Sequence, residues 1–148
     1  MEFQVEDDPD PVDIQFLETQ IRREASAAMG LGGEVELAIF VRDGDEVVAG
    51  VSGWTWGDCC ELQSLWVIPS LRGNWLGPQL LAAAEAAARG CTQTLLFSYA
   101  FQARRLYEWA GYEPVGRVRD FPSGTDALWY RKRLSPPDDP AEHPRGPS

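Results

Sequence analysis

The sequence predicts a mixed α/β (α+β) fold with elements in the order helix, three strands, helix, strand, helix, two strands. Three observations carry this: an apolar stripe at helical spacing behind Asp10-Pro11, two β-rich runs joined across Asp43-Gly44, and an alanine-rich helix set between strands. Asp10-Pro11 supplies an N-cap and a proline at the first helical position. Ile14, Leu17, Ile21, Ala25 and Ala28 then recur at helical spacing up to Gly30, which predicts one amphipathic helix. Glu36 to Arg42 and Glu46 to Trp56 read as paired strands, and Gly57-Asp58 turns the chain into a third, Cys59 to Ile68. Its apolar end, Leu65-Trp66-Val67-Ile68, predicts burial on both faces and a place at the centre of the sheet. A loop with Arg72, Gly73 and Gly77 leads to Pro78, which opens a helix carrying Leu80, Leu81, Ala84 and Ala88 inward until Gly90. Thr92 to Tyr99 is the next strand, and Phe101 to Ala110 a short helix stopped by Gly111. Val115 to Asp120 and Ala127 to Leu134 are the last strands, around Pro122-Ser123-Gly124. The stretch 135–148 holds five prolines and almost no apolar residues, so it reads as a disordered tail behind one domain, 1–134.

Composition excludes several classes of function. At 148 residues, 44% apolar and with six tryptophans, the chain has material for one packed core. Its formal charge of 13 − 23 = −10 repels phosphate backbones, and its longest basic run is Arg131-Lys132-Arg133, so nucleic acid is not an expected partner. Cationic small molecules are the natural ones. No run approaches the ~20 apolar residues that span a bilayer. The acidic segment from Glu2 to Asp13 lacks the basic start of a signal peptide, so no membrane association and a cytoplasmic location are expected. Cys59, Cys60 and Cys91 are odd in number, and the adjacent pair points to opposite faces of a strand; they read as reduced thiols and no metal site is expected. His143, the sole histidine, sits in the tail, which excludes a Ser-His-Asp or Cys-His arrangement within the fold.

A buried strand, an Arg-Gly turn and a helix start coincide around residues 65 to 77. Unpaired amides at a helix N-terminus favour an anion and Arg72 adds charge, yet a glycine-bearing connector of no function is an equal reading. Neither a Gly-Lys-Ser/Thr nor a G-x-G-x-x-G follows, which excludes the commonest nucleotide loops.

The run L-W-V-I-P-S-L-R-G-N-W-L-G-P-Q-L-L-A-A-A-E, Leu65 to Glu85, resembles the acetyl-CoA motif of GNAT N-acetyltransferases. L-Y-E-W-A-G-Y, Leu106 to Tyr112, is similar to a second motif of that family. With G-W-T-W-G, F-Q-A and Y-R-K-R-L, the resemblance covers roughly residues 10 to 134. It implies the GNAT fold, a central mixed, mostly antiparallel sheet of six to seven strands flanked by three to four helices. It also implies acetyl transfer from acetyl-CoA as co-substrate to a primary amine. By the same resemblance, main-chain groups of Trp66, Val67 and Ile68 hold the pantetheine arm. Amides of Arg72, Gly73, Asn74, Trp75, Leu76 and Gly77 hold the pyrophosphate. The family places glycine at Trp75, and often Asn or Ser at Ala100, where this chain offers backbone alone.

Tyr107 matches the family's proton donor to the departing thiolate, and a core tyrosine is the competing reading. Glu61 is similar to a glutamate that acts as base through water, and a carboxylate that orients an ammonium group is an equal alternative. Gln63 shares its strand face at a period of two. Trp54 and Trp56 share a face, either as an aromatic wall for a cationic substrate or as cover for the core. Asp7, Asp8 and Asp10, and Arg104 and Arg105, read first as solvated charges. The acceptor expected from acidity and tryptophan content is a small cationic metabolite or amine-bearing antibiotic. A protein lysine or N-terminus, and a catalytically degenerate CoA-binding or interaction module, remain alternatives, and homodimerisation is left open.

Overall fold

Asp10 starts α1 (Pro11–Met29) as the sequence predicts: its carboxylate accepts the Val12 amide at 2.9 Å, Pro11 fills the first turn, and Gly30 ends the helix in the left-handed conformation. The structure, a computed structural model, describes residues 1–99 and 103–134. The chain divides into two units, one spanning Met1–Glu34 and the other beginning at Val35. Within the first, Arg22 pairs with Glu34 at 3.0 Å and with Glu18 at 3.7 Å.

The second unit is a six-stranded sheet. Its strands are β1 (Val35–Asp43), β2 (Glu46–Trp56), β3 (Cys59–Val67), β4 (Gln93–Tyr99), β5 (Glu113–Val118) and β6 (Ala127–Arg133), in the spatial order β1-β2-β3-β4-β6-β5. All neighbours are antiparallel except β3 and β4. Between them runs the crossover through a one-turn 3-10 segment, Pro69–Leu71, and α2 (Leu76–Ala87). A shorter helix, α3 (Arg104–Trp109), links β4 to β5. This is the mixed, mostly antiparallel architecture the sequence implies. The first hairpin closes at Asp43 and Glu46, so its loop is Gly44-Asp45, one residue later than expected.

Leu80, Leu81, Ala84 and Ala88 face the sheet and pack with Ala49, Val51, Cys60 and Leu62, and α2 lies against β1, β2 and β3. Burying a leucine such as Leu81 contributes about 2 kcal/mol. The helix starts at Leu76, two residues before the expected Pro78, because Trp75 takes the N-cap position and its carbonyl accepts the Gln79 amide at 3.0 Å.

One irregularity positions everything that follows. Ser52 pairs with Ser64 but Gly53 pairs with Leu62, so Gln63 is an extra residue in β3. The bulge resets the alternation: Cys60 and Leu62 face the core before it, Leu65 and Val67 after it. Here the structure corrects the expectation that the end of β3 is buried on both faces, since Trp66 is 47% exposed. The apolar run borders a cavity rather than a second layer.

Candidate active site

Strands β3 and β4 are paired only from Cys59–Leu62 against Gln93–Leu96. Beyond the bulge β3 continues to Val67 and β4 to Tyr99 without pairing, while β4 stays bonded to β6 along its whole length. The two central strands therefore diverge and leave a gap in the sheet. At its apex is a small cavity of about 20 Å³, enough for one water, lined by Leu62, Gln63, Ser64, Leu65, Leu96, Phe97 and Tyr107 among others.

The divergence frees backbone groups. The Ile68 amide donates to the Val48 carbonyl at 2.8 Å and the Ile68 carbonyl accepts from Leu71 at 3.0 Å, so both polar groups of Ile68 are committed. Antiparallel alternation then turns Trp66 toward Gly50 of β2, and Leu65 and Val67 toward the gap. Of the three residues expected to offer main chain, only Val67 faces the opening, with its amide open and its carbonyl accepting from Arg72 Nε at 2.9 Å, and Leu65 faces it as well. The alternation was readable from sequence, but its phase depends on a bulge that was not.

The gap opens into a larger cavity of about 860 Å³, lined by Leu65, Trp66 and Val67, by the loop at 71–73 and Trp75, by the first turn of α2, and by Ala103, Arg105, Leu106 and Trp109 of α3 and its start, while Asn74 does not line it. This volume suits a cofactor-sized ligand. The amides of Leu76 and Gly77, in the first turn of α2, have no intrahelical acceptor and carry the positive end of the helix dipole. Arg72, expected as a phosphate ligand, turns its Nε to the Val67 carbonyl at 2.9 Å and braces the loop against β3. Arg104 is held by Glu108 at 2.9 Å, whereas Arg105 lines the cavity. Trp75, where the family has glycine, accepts a φ of 65°, a conformation that costs a side-chain-bearing residue roughly 1 kcal/mol. Gly77 lies so close to α3 that a Cβ there would meet Leu106 Cδ2 at 3.2 Å.

Tyr107, on α3, is 8% exposed and lines the apex cavity. Burial first, and Tyr130 second, push its phenol above the ordinary tyrosine range, which keeps it protonated as a donor. Tyr130, a residue that sequence reasoning did not single out, is fully buried on β6 with its ring 5.5 Å from that of Tyr107. Its signal was weak, since a lone tyrosine in a strand reads as core. Glu61 is half-buried, directly across from Trp54 on β2 and from Leu95 on β4. Trp56 stands opposite Cys59, on the same face as that pair. Glu61, Trp54 and Trp56 thus lie together on one face below the gap, and none of them lines either cavity described here. Gln63, the bulge residue, does line the apex. Ala100 and the 135–148 tail lie outside the described residues.

Cys59, Cys60 and Cys91 are free thiols. Among the described residues there is no group of three or more His, Cys, Asp or Glu able to hold a metal ion, and no helix long and apolar enough to cross a membrane.

The chain is similar to known acetyltransferases in sequence and in fold. The profile of the Acetyltransferase (GNAT) family matches residues 2–112. Acetyltransferase Atu2258 of Agrobacterium fabrum is 32% identical over 111 residues, covering 73% of this chain and 81% of that protein. Blasticidin-S acetyltransferase of Streptomyces morookaense is 35% identical over 95 residues, 60% of this chain and 68% of that protein. A crystal structure of an acetyltransferase from Bacillus cereus superposes with a TM-score of 0.72 at 26% identity, covering 88% and 98% of the two chains. An aminoglycoside 6'-N-acetyltransferase complexed with coenzyme A shares the fold, with a TM-score of 0.61 at 21% identity over 70% of this chain and 76% of that one.

Proposed function

The chain belongs to the GNAT acetyltransferase family, and from that premise we propose that it transfers acetyl from acetyl-CoA to a primary amine of a small cationic metabolite or amine-bearing antibiotic. The observation that carries this reading is the gap between β3 and β4, with Tyr107 at its apex and the loop-lined cavity at its mouth. A thioester arm fits along Leu65 and Val67, whose main-chain groups face the opening. The pyrophosphate fits the amides from Gly73 to Gly77, where free N–H groups and the helix dipole favour an anion. Donor and acceptor then meet at the apex.

The amine attacks the thioester carbonyl directly: a C–N bond forms, the C–S bond breaks, and the Tyr107 phenol gives its proton to the departing thiolate. No acyl-enzyme is needed. Glu61, on the strand face below the gap, receives the amine's proton through water or orients the ammonium group, with Trp54 and Trp56 as an aromatic wall on that face, and Gln63 meets the acceptor at the apex. The net charge of −10 favours a cationic acceptor. The blasticidin-S relative supports an antibiotic acceptor over a protein one.

Thiol release from acetyl-CoA, measured across polyamines, aminoglycosides, blasticidin S and lysine peptides, tests the reading. At least one small amine is expected to turn over faster than any peptide. Tyr107→Phe is expected to lower kcat by at least tenfold, with little change in the KM for acetyl-CoA. Turnover of peptides alone would reject the acceptor class, and an undiminished kcat would remove Tyr107 from the chemistry.

A further inference from the structure

Two aromatic side chains at the mouth of the large cavity have no part in the chemistry above. Trp75 rises from the phosphate-side loop and Trp109 from the end of α3; they come from segments 34 residues apart in sequence and meet with ring centroids 4.9 Å apart at 60°. Both line the cavity, and they are 60% and 64% exposed. Large indoles held together yet open to solvent leave aromatic surface unused by the fold. Trp75 does this from a left-handed backbone, a conformation that persists in a non-glycine residue only where its surroundings enforce it. Arg105, one turn before Trp109 on the same helix, lines the same cavity, while its neighbour Arg104 is spent on Glu108.

We propose that Trp75 and Trp109 form a stacking clasp for the purine base of the acyl donor, with Arg105 drawing the adjoining phosphate, so that the indole replaces a loop glycine with a base-binding surface. The inference rests on the acetyl-CoA reading above. The base rather than the pantetheine arm falls to the indoles because, in the reading above, the arm runs along Leu65 and Val67, whereas Trp75 stands at the start of α2 beside the amides that take the phosphates. Aromatic faces, a cation and free amides together match a phosphorylated purine, which is flat, polarisable and anionic.

Intrinsic tryptophan fluorescence and calorimetry with acetyl-CoA and with 3',5'-ADP, alongside kinetics with acetyl-CoA and acetyl-pantetheine, test it. The native protein is expected to bind 3',5'-ADP with a change in emission. Trp109→Ala, at an exposed site that the core does not need, is expected to weaken both CoA and 3',5'-ADP binding on the order of tenfold, and Trp109→Phe to restore most of it. The preference in kcat/KM for acetyl-CoA over acetyl-pantetheine should fall by a similar factor. Unchanged affinity in Trp109→Ala, or an equal loss for both donors, overturns the clasp while leaving the acetyltransferase reading intact. A native protein that binds no acetyl-CoA overturns both.

Discussion

Single positions in this sheet differ sharply in what they tolerate. A Cβ at Gly53 would overlap the Glu61 carbonyl oxygen and stand 2.9 Å from both the Glu61 carbonyl carbon and the Leu62 Cα, all of it backbone of the neighbouring strand. Nothing there can rotate away, so Gly53→Ala must push β2 from β3 at the bulge. We expect it to cost about 3 kcal/mol, lowering Tm by roughly 10 °C. Gly44 is the contrast: a Cβ there meets open space, and only its φ of 59° resists alanine, which predicts a loss of about 1 kcal/mol. Thermal melts of the two variants decide, and equal losses would refute the steric account. Tyr107 yields a prediction in pH. Its phenol is raised above the ordinary tyrosine value of 10.0 by burial and by Tyr130, so the neutral, proton-donating form prevails throughout the physiological range. The kcat profile is then expected to show no descending limb below about pH 10; a fall centred near pH 8 would point to another group.

Between elements, the tie from α2 to β6 is a polar one set into an apolar layer. Lys132 Nζ lies 3.1 and 3.0 Å from the two oxygens of Glu85, and the Tyr112 hydroxyl donates to the same carboxylate at 3.0 Å. The side chains of Lys132 and Glu85 are 28% and 16% exposed, so solvent screens the pair only in part. Removing the cation leaves a poorly solvated carboxylate with one donor. Lys132→Met is expected to cost about 2 to 3 kcal/mol, and Glu85→Gln less, because an amide oxygen still accepts from Tyr112. In a urea double-mutant cycle the pair should show coupling of about 1 kcal/mol or more, and strict additivity would show that it contributes nothing. The elements it joins were mostly legible in the sequence, since each is announced by local chemistry. Asp10, Pro11 and Gly30 bound α1, and Gly57-Asp58 turns β2 into β3 as the pattern predicts. What stayed hidden was non-local: the end of the β3–β4 pairing at Leu62 and the extra residue Gln63. An apolar run such as Leu65 to Ile68 has the same pattern whether a second layer or a cavity lies against it.

At the scale of the molecule, motif spacing brought the loop, Tyr107 and the strand into one site. It gave no separate part to Leu65, Trp109 or Tyr130, whose positions beside the cavities and Tyr107 depend on how distant segments meet. The same packing gathers ionisable groups into one core. Cys60, Cys91, Tyr107, Tyr112 and Tyr130 belong to a single buried cluster, and burial is the largest cause raising each of them, Cys60 to about 11 from the ordinary thiol value of 9.0. A raised pKa means that the native state keeps a proton the unfolded chain releases. The stabilisation is therefore complete below about pH 9 and is lost as pH climbs through 9.0 to 11 for Cys60, with the tyrosines following from 10.0 upward. Urea midpoints are expected to hold level between pH 7 and 8.5 and then fall steadily. Net charge offers a rival cause, because a chain already at −10 repels itself more as it loses protons. Salt separates the two: self-repulsion is screened within a Debye length of about 4 Å at 0.5 M, whereas a proton held by burial is not. The alkaline fall should persist in 0.5 M salt and become shallower in its earliest part, between pH 9 and 10, in Cys60→Ala, with Cys91, which burial also raises, carrying what is left there. A fall that salt abolishes would assign the effect to surface charge and leave the buried cluster without a role in it.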